Sequence, residues 1–214
     1  MSSLNPIAYW NTYYNNKKPF TQPSLFAIYC ASHKWCQQGF ILDAGCGDGR
    51  DAAFFADTHD AANIIACDLS PIAIQHVALR KCSNILPCIY DVTHQQSLLP
   101  IFTHRINIIY SRFFLHTLTR QGVQQTLQSF LTIQPTYICL EFRSALDKNL
   151  QQSCGQLIHQ QEGIYCNTHL RRPLHTVEVT ATLNELYTCI LNDISDQFAP
   201  PDKNLITRLI FKHK

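Results

Sequence analysis

The sequence predicts an α/β fold, a mostly parallel sheet with helices on both faces. Three observations carry this: short β-branched apolar runs alternate with helical patterns, one run is apolar without alternation, and a glycine-rich turn follows the first strand. Ile106 to Tyr110 is the unalternating run, and a strand covered on both sides requires that pattern.

In order, Leu25, Phe26, Ile28, Tyr29 and Trp35 recur at helical spacing between Ser24 and Gln38, with Pro23 beside the first turn. Gly39 stops that helix, and Phe40–Asp43 reads as the first strand. After the glycine turn a helix runs through Ala52, Phe54 and Phe55. Asn63–Asp68 reads as strand two, and Ser70–Pro71 supplies a cap and a first-position proline for the next helix. Ile85–Tyr90, Ile106–Tyr110 and Thr136–Glu141 follow as strands, with a helix at Gln121–Leu131. Thr176–Tyr187 reads as a helix, and Thr188–Leu191 and Leu205–Phe211 as a closing antiparallel hairpin.

The chain has 214 residues, enough for one domain with a sizeable core. Residues 1–22 read as an amino-terminal lid and 23–214 as a Rossmann-like core. The formal charge of +2 has no basic run behind it, which argues against affinity built on nucleic-acid phosphates. Ten cysteines occur without a C-x-x-C pair, and Cys67, Cys139 and Cys189 within apolar runs read as small buried hydrophobes. The amino terminus has no leader pattern and no apolar run is long enough to span a bilayer, so a reducing cytoplasm is expected.

Open α/β sheets bind ligands where the strands end, so the loop after strand one is the first place to look for a site. It reads Asp43-Ala44-Gly45-Cys46-Gly47-Asp48-Gly49. The glycines allow a sharp turn against a ligand. Asp43 suits the ammonium of a methionine moiety and would repel a dinucleotide pyrophosphate.

This segment, continuing into Arg50-Asp51-Ala52-Ala53, resembles motif I of class I S-adenosylmethionine-dependent methyltransferases. It is similar to the small-molecule branch, including thiopurine and tellurite-resistance methyltransferases, and the likeness spans residues 40 to 142. The resemblance implies the Rossmann-like class I fold, a seven-stranded sheet closed by the antiparallel hairpin, and S-adenosyl-L-methionine as cofactor, leaving as S-adenosyl-L-homocysteine. It assigns Asp43, Gly45, Cys46, Gly47 and Arg50 to the cofactor loop. Asp68, with Leu69 beside it, would accept from the ribose hydroxyls. Asp91 would face the adenine amino group and Val92 its ring, and Ser111 completes the cofactor set.

The loop after strand four, Tyr110-Ser111-Arg112-Phe113-Phe114-Leu115-His116, lacks the Pro-Pro pattern of base N-methylases. Arg112 and His116 stand four apart, one face of a helix if the segment is helical. Arg143 follows strand five, and His169, Arg171 and Arg172 cluster later. Arg112, Arg143 and His116 are the candidate catalytic residues, the arginines for an anionic acceptor and the histidine as base. Tyr9 and Tyr13 of the lid, with His169, Arg171 and Arg172, are the candidate acceptor contacts. The expected partner is a small phosphate- or carboxylate-bearing acceptor, O-methylated without a metal, with the chain a monomer or homodimer off the membrane. The loops after strands four and five also loosely resemble those of enzymes that decorate sugars or polysaccharides. An RNA or protein methyltransferase, or an inactive cofactor-binding fold, stays open at this point.

Overall fold

The computed structural model describes residues 5–37, 39–59, 62–94, 105–148, 156–159, 164–166, 170–198, 200 and 203–214. Its main sheet has seven strands: β1 (Gly39–Ala44), β2 (Ala62–Asp68), β3 (Ile85–Ile89), β4 (Ile106–Arg112), β5 (Tyr137–Arg143), and the later β9 (Tyr187–Ser195) and β10 (Ile206–His213). Their order is β3-β2-β1-β4-β5-β10-β9, with β10 antiparallel to both neighbours. This is the Rossmann-like arrangement expected from the sequence, mostly parallel and closed by an antiparallel hairpin. The order reverses between β1 and β4, and the cleft above their carboxyl ends is where such sheets take ligands.

Neighbouring residues of the central strands are buried on opposite faces. Ile41 and Leu42 of β1 are both 0% exposed, which explains why these strands read as unbroken apolar runs. One face packs Ile41, Ile108, Tyr110, Cys139 and Ile210 under helices α2 (Leu25–Ala31) and α3 (Arg50–Thr58). The other packs Leu42, Ile109, Leu140 and Leu209 under α5 (Arg120–Ile133) and α6 (Thr176–Leu183). Helix α1 (Pro6–Asn15) lies against α4 (Pro71–Leu79).

Several boundaries differ from the sequence expectation, each for a local reason. The first core helix stops at Ala31 rather than Gln38. Ser32 Oγ donates to the Tyr29 carbonyl at 2.7 Å and His33 Nδ1 approaches it at 2.9 Å, satisfying a carbonyl at the helix end. Helix α6 stops at Leu183, and Lys214 Nζ caps the carbonyls of Asn184 and Glu185, so Tyr187 is free to open β9. Strands β6 (Gln156–His159), β7 (Ile164–Cys166) and β8 (Leu170–Arg171) make a small antiparallel sheet between β5 and α6, which the sequence did not announce. Ser70 caps α4 as expected, accepting from Ala73 N–H, with Pro71 at its first position. The described cysteines are free thiols, with Cys67 and Cys139 buried and Cys189 half-buried. Among the described residues no helix is long and apolar enough to cross a membrane.

Candidate active site

Two cavities open above the switch point. The larger, about 690 Å³, is lined by the glycine loop, β4, β5, the end of α1 and the turn between β9 and β10. The smaller, about 240 Å³, lies between the ends of β2 and β3 and the start of α5. Trp10, Tyr14, Gly45, Phe113 and Thr117 line both, so the two spaces meet there.

The loop that separates β1 from α3 is shaped by left-handed glycines. Gly45 has φ of 74°, and a Cβ there would sit 2.4 Å from the Phe114 ring. Gly47 has φ of 57°, and its Cβ would sit 2.6 Å from the Tyr14 hydroxyl. Only glycine combines that backbone with so close an approach. The loop is tied to β2 as the Gly45 and Cys46 N–H groups both donate to the Cys67 carbonyl at 2.9 Å. Asp48 accepts from Phe20 N–H at 2.7 Å, and Arg80 donates to the carbonyls of Phe20 and Asp48, so the segment after α1 is fastened to the same loop.

Asp43 ends β1 with its side chain in the larger cavity and is 2% exposed. Its Oδ2 is buried and finds no hydrogen-bond partner among the described residues. Burial, reinforced by Asp51, Asp68 and Asp48, pushes its pKa well up against the lowering by Arg112. A buried carboxylate oxygen without a donor is costly, and a ligand ammonium is a partner that would relieve it.

Asp68 ends β2 and reaches the smaller cavity. Its Oδ2 accepts from Gly47 N–H at 3.0 Å and its Oδ1 from Ser70 N–H at 2.9 Å. Burial raises its pKa to about 6 against the lowering by these backbone donors. Ser70 in turn hydrogen-bonds Asn11 of α1 at 2.6 Å, which seats that helix beside this carboxylate. Leu69, Asp91 and Val92 line the same cavity. Asp91 spends Oδ1 on Thr93 and Oδ2 on His94, the latter at 2.9 Å.

Folded Asp68 keeps its proton to about pH 6, whereas the unfolded chain releases it near 3.8. The ligand-free fold therefore loses stability from this group as pH rises through that window. The two ribose hydroxyls that the resemblance assigns to Asp68 would need the ionised form as acceptor. Cofactor affinity is expected to fall by about tenfold per pH unit below pH 6, and less steeply in Asp68→Asn. Calorimetric titration of S-adenosylmethionine between pH 5 and 8 checks this; a flat profile down to pH 5 contradicts it.

Residues 41–133 match the family model described as a methyltransferase domain. Over these residues the chain carries the sequence pattern of a methyltransferase domain. Among solved structures, it is similar to an S-adenosylmethionine-dependent methyltransferase from Anabaena variabilis ATCC 29413, at 17% identity and TM-score 0.69, covering 99% of this chain and 96% of that one. It is also similar to magnesium protoporphyrin IX methyltransferase from Synechocystis PCC 6803 with bound cofactor, at 10% identity and TM-score 0.66 over 100% of both chains. A third is 1,6-didemethyltoxoflavin-N1-methyltransferase from Burkholderia thailandensis, at 15% identity and TM-score 0.62, covering 88% and 76%. At these identities the likeness is one of fold. No curated protein matches the sequence. The residues present fit S-adenosylmethionine: a buried carboxylate oxygen without a donor among the described residues for the ammonium, glycines where a Cβ would close the cavity, and a carboxylate for a diol.

The remaining expected residues divide. Cys46, Arg50, Arg112, Arg143, His116, Arg171 and Tyr13 line the larger cavity. Arg112 and His116 do so without sharing a helix. Arg112 is the last residue of β4, Phe113 turns left-handed at φ of 55°, and His116 sits in a short 3-10 turn, packed edge-on against Phe113 at 5.6 Å. Arg143 lines the cavity but its guanidinium is committed, donating from Nε to Asp147 at 3.1 Å and from Nη2 to Asn204 at 2.8 Å.

Three of the expected residues lie elsewhere. Ser111 falls on the opposite face of β4 from Tyr110 and Arg112, and its hydroxyl donates to the Ala44 carbonyl at 2.9 Å instead of lining either cavity. Arg172 is 4% exposed, ion-paired to Glu178 at 3.0 Å and bonded to the Leu118 carbonyl, so it fastens α6 to the loop after β4. Tyr9 lines neither cavity; its ring packs edge-on against Trp10 at 5.0 Å. His169 lies outside the described residues. The α1 residues that line both cavities are Trp10 and Tyr14, which share the helical spacing of Tyr9 and Tyr13.

Proposed function

We propose that this methyltransferase acts on an oxygen of a small anionic acceptor held in the larger cavity. The observation that carries the reading is the cavity's divided charge. Asp43, Asp48 and Asp51 stand on its β1 and α3 side, where Arg50 pairs with Asp51; Arg112 and Arg171 stand on its β4 and β8 side, and Arg143 of β5 is neutralised by Asp147. A volume of about 690 Å³ under the aromatic end of α1 suits a small molecule. Two of the similar structures are named for small molecules, magnesium protoporphyrin IX and 1,6-didemethyltoxoflavin.

In this reading Asp43 holds the cofactor ammonium and Asp68 the ribose hydroxyls, with Leu69, Asp91 and Val92 around the adenine. Gly45 and Gly47 let the backbone approach, while Cys46 and Arg50 border the methionine end. When bound, S-adenosylmethionine supplies an activated methyl on a sulfonium. Arg112 and Arg171 draw the acceptor anion to the opposite wall, which orients the accepting oxygen. His116, on the same wall, takes the hydroxyl proton at an imidazole nitrogen. Trp10, Tyr13 and Tyr14 roof the site as a lid that excludes water.

The test is methyl transfer from isotope-labelled S-adenosylmethionine to a panel of hydroxylated carboxylates and phosphates, with products placed by mass spectrometry. Label on oxygen is expected, with kcat falling about 10²-fold or more in His116→Asn and cofactor affinity unchanged. Label found on nitrogen, or transferred only to RNA or protein, overturns the reading.

A further inference from the structure

Arg112, Glu141 and Arg208 stand directly opposite one another on three adjoining strands, β4, β5 and β10. Glu141 is 1% exposed, and its two oxygens are shared out: Oε1 accepts from Arg112 Nε at 2.6 Å and Oε2 from Arg208 Nε at 2.7 Å. Two guanidinium groups on one carboxylate leave one net positive charge in a desolvated place. Arg208 is 6% exposed beneath the Phe198 ring, 3.8 Å away, and its Nη2 is buried without a hydrogen-bond partner among the described residues. As a device for stability this is poor, because buried ion pairs seldom outperform apolar packing and the surplus charge worsens the balance.

Geometry gives the surplus charge a use. The only hydrogen bond that the Arg112 guanidinium makes among the described residues is the one from Nε. Its side chain lines the larger cavity, where the two terminal amino groups remain to meet a ligand. Glu141 fixes the guanidinium in its plane. The Glu141 carbonyl also accepts from Phe113 N–H at 2.7 Å, and Phe113, left-handed at φ of 55°, lays its ring 4.0 Å from the Arg112 guanidinium carbon. Arg112 is thus held at its edge and on its face before any ligand arrives, which lowers the ordering cost of binding.

We propose that this ladder is a preset receptor for a carboxylate on the acceptor, with Arg112 making the contact and Glu141 as its positioning residue. A paired amino edge matches the two oxygens of a carboxylate, and one surplus charge matches its single charge. A doubly charged phosphate leaves one charge unmatched in a cavity that also holds Asp43 and Asp51. The proposal rests on the anionic-acceptor reading and narrows it.

The test titrates the full chain, saturated with S-adenosylhomocysteine, with sodium benzoate and separately with inorganic phosphate, followed by calorimetry or NMR. Benzoate is expected to bind at least tenfold tighter than phosphate. Arg112→Lys keeps the charge without the fork and should lose about tenfold or more in benzoate affinity. Glu141→Gln adds one net positive charge to the ladder yet should also lose benzoate affinity, since the fork is no longer held. Affinity for S-adenosylhomocysteine should stay within about twofold in both, which reports an intact fold. Unchanged benzoate binding in Arg112→Lys, or unchanged or tighter binding in Glu141→Gln, overturns the ladder. Should Glu141→Gln fail to fold, Arg112→Lys alone decides. Wild-type protein that binds neither anion removes the anionic-acceptor reading as well. Phosphate binding as tightly as benzoate removes only the carboxylate assignment.

Discussion

An Asp43→Asn variant is expected to bind S-adenosylmethionine about 100-fold more weakly than the parent and, without ligand, to melt at a higher temperature. Both effects come from one property of the residue. Asp43 Oδ2 is buried with no partner, and burial together with Asp51, Asp68 and Asp48 raises its pKa. A carboxyl whose folded pKa lies above its unfolded value stabilises the fold only while protonated, and that contribution is lost as pH rises past about 4. Asparagine keeps the shape and removes the charge, so the ligand-free protein should gain roughly 2–4 °C at neutral pH. The same change removes the group that attracts a ligand ammonium, for which a charged hydrogen bond worth about 2–3 kcal/mol is lost. Scanning calorimetry and titration calorimetry read the two halves separately. A variant that binds more weakly and also melts lower would mean that Asp43 supports the loop and has no special relation to a cation.

Gly45→Ala is expected to cost about 2–4 kcal/mol of stability, lowering the melting temperature by roughly 10 °C, and to abolish measurable cofactor binding. A left-handed alanine carries about 1 kcal/mol or more of backbone strain. The larger part is steric: the new Cβ would lie 2.4 Å from Phe114 Cγ and 2.7 Å from its Cβ. Phe114 packs against the core and lines the smaller cavity, so it moves only by filling the space assigned here to adenosine. The loop has little room to yield either, because the Gly45 N–H is anchored to Cys67. Circular-dichroism melting and a cofactor titration measure the outcome. A folded Gly45→Ala protein with parental affinity would show that the cofactor does not pass this turn.

The parts of the site that the sequence announced are those fixed by the local chain. Asp43, Asp68 and Asp91 each stand at or just beyond the end of a strand that an apolar run defines, so finding the run found the residue. The failures occur where two neighbours satisfy the same local pattern. Tyr9 with Tyr13 and Trp10 with Tyr14 have identical helical spacing, and only docking of α1 through Asn11 onto Ser70 decides that Trp10 and Tyr14 line both cavities. Arg171 and Arg172 are adjacent cations in a strand end; the first lines the cavity and the second is buried against Glu178. Ser111 and Arg112 alternate across β4 in the same way. Phe113 is missed for a different reason. A left-handed phenylalanine has no sequence signature, since its conformation is imposed by contacts with β5.

By itself the sequence determined the alternating α/β fold, the glycine loop and the acidic strand ends, because each depends on residues close together in the chain. Periodicity sets burial, glycine permits the turn, and a strand delivers its last side chain to the cleft. Only the tertiary structure decided how the cavity is charged. Arg112, Glu141 and Arg208 come from three strands separated along the chain, and their pairing exists only once β10 has inserted antiparallel beside β5. Charge balance in a buried site is a sum over groups that folding brings together. The methyl donor was therefore legible from a few neighbouring residues, and the wall facing the acceptor was legible only in space.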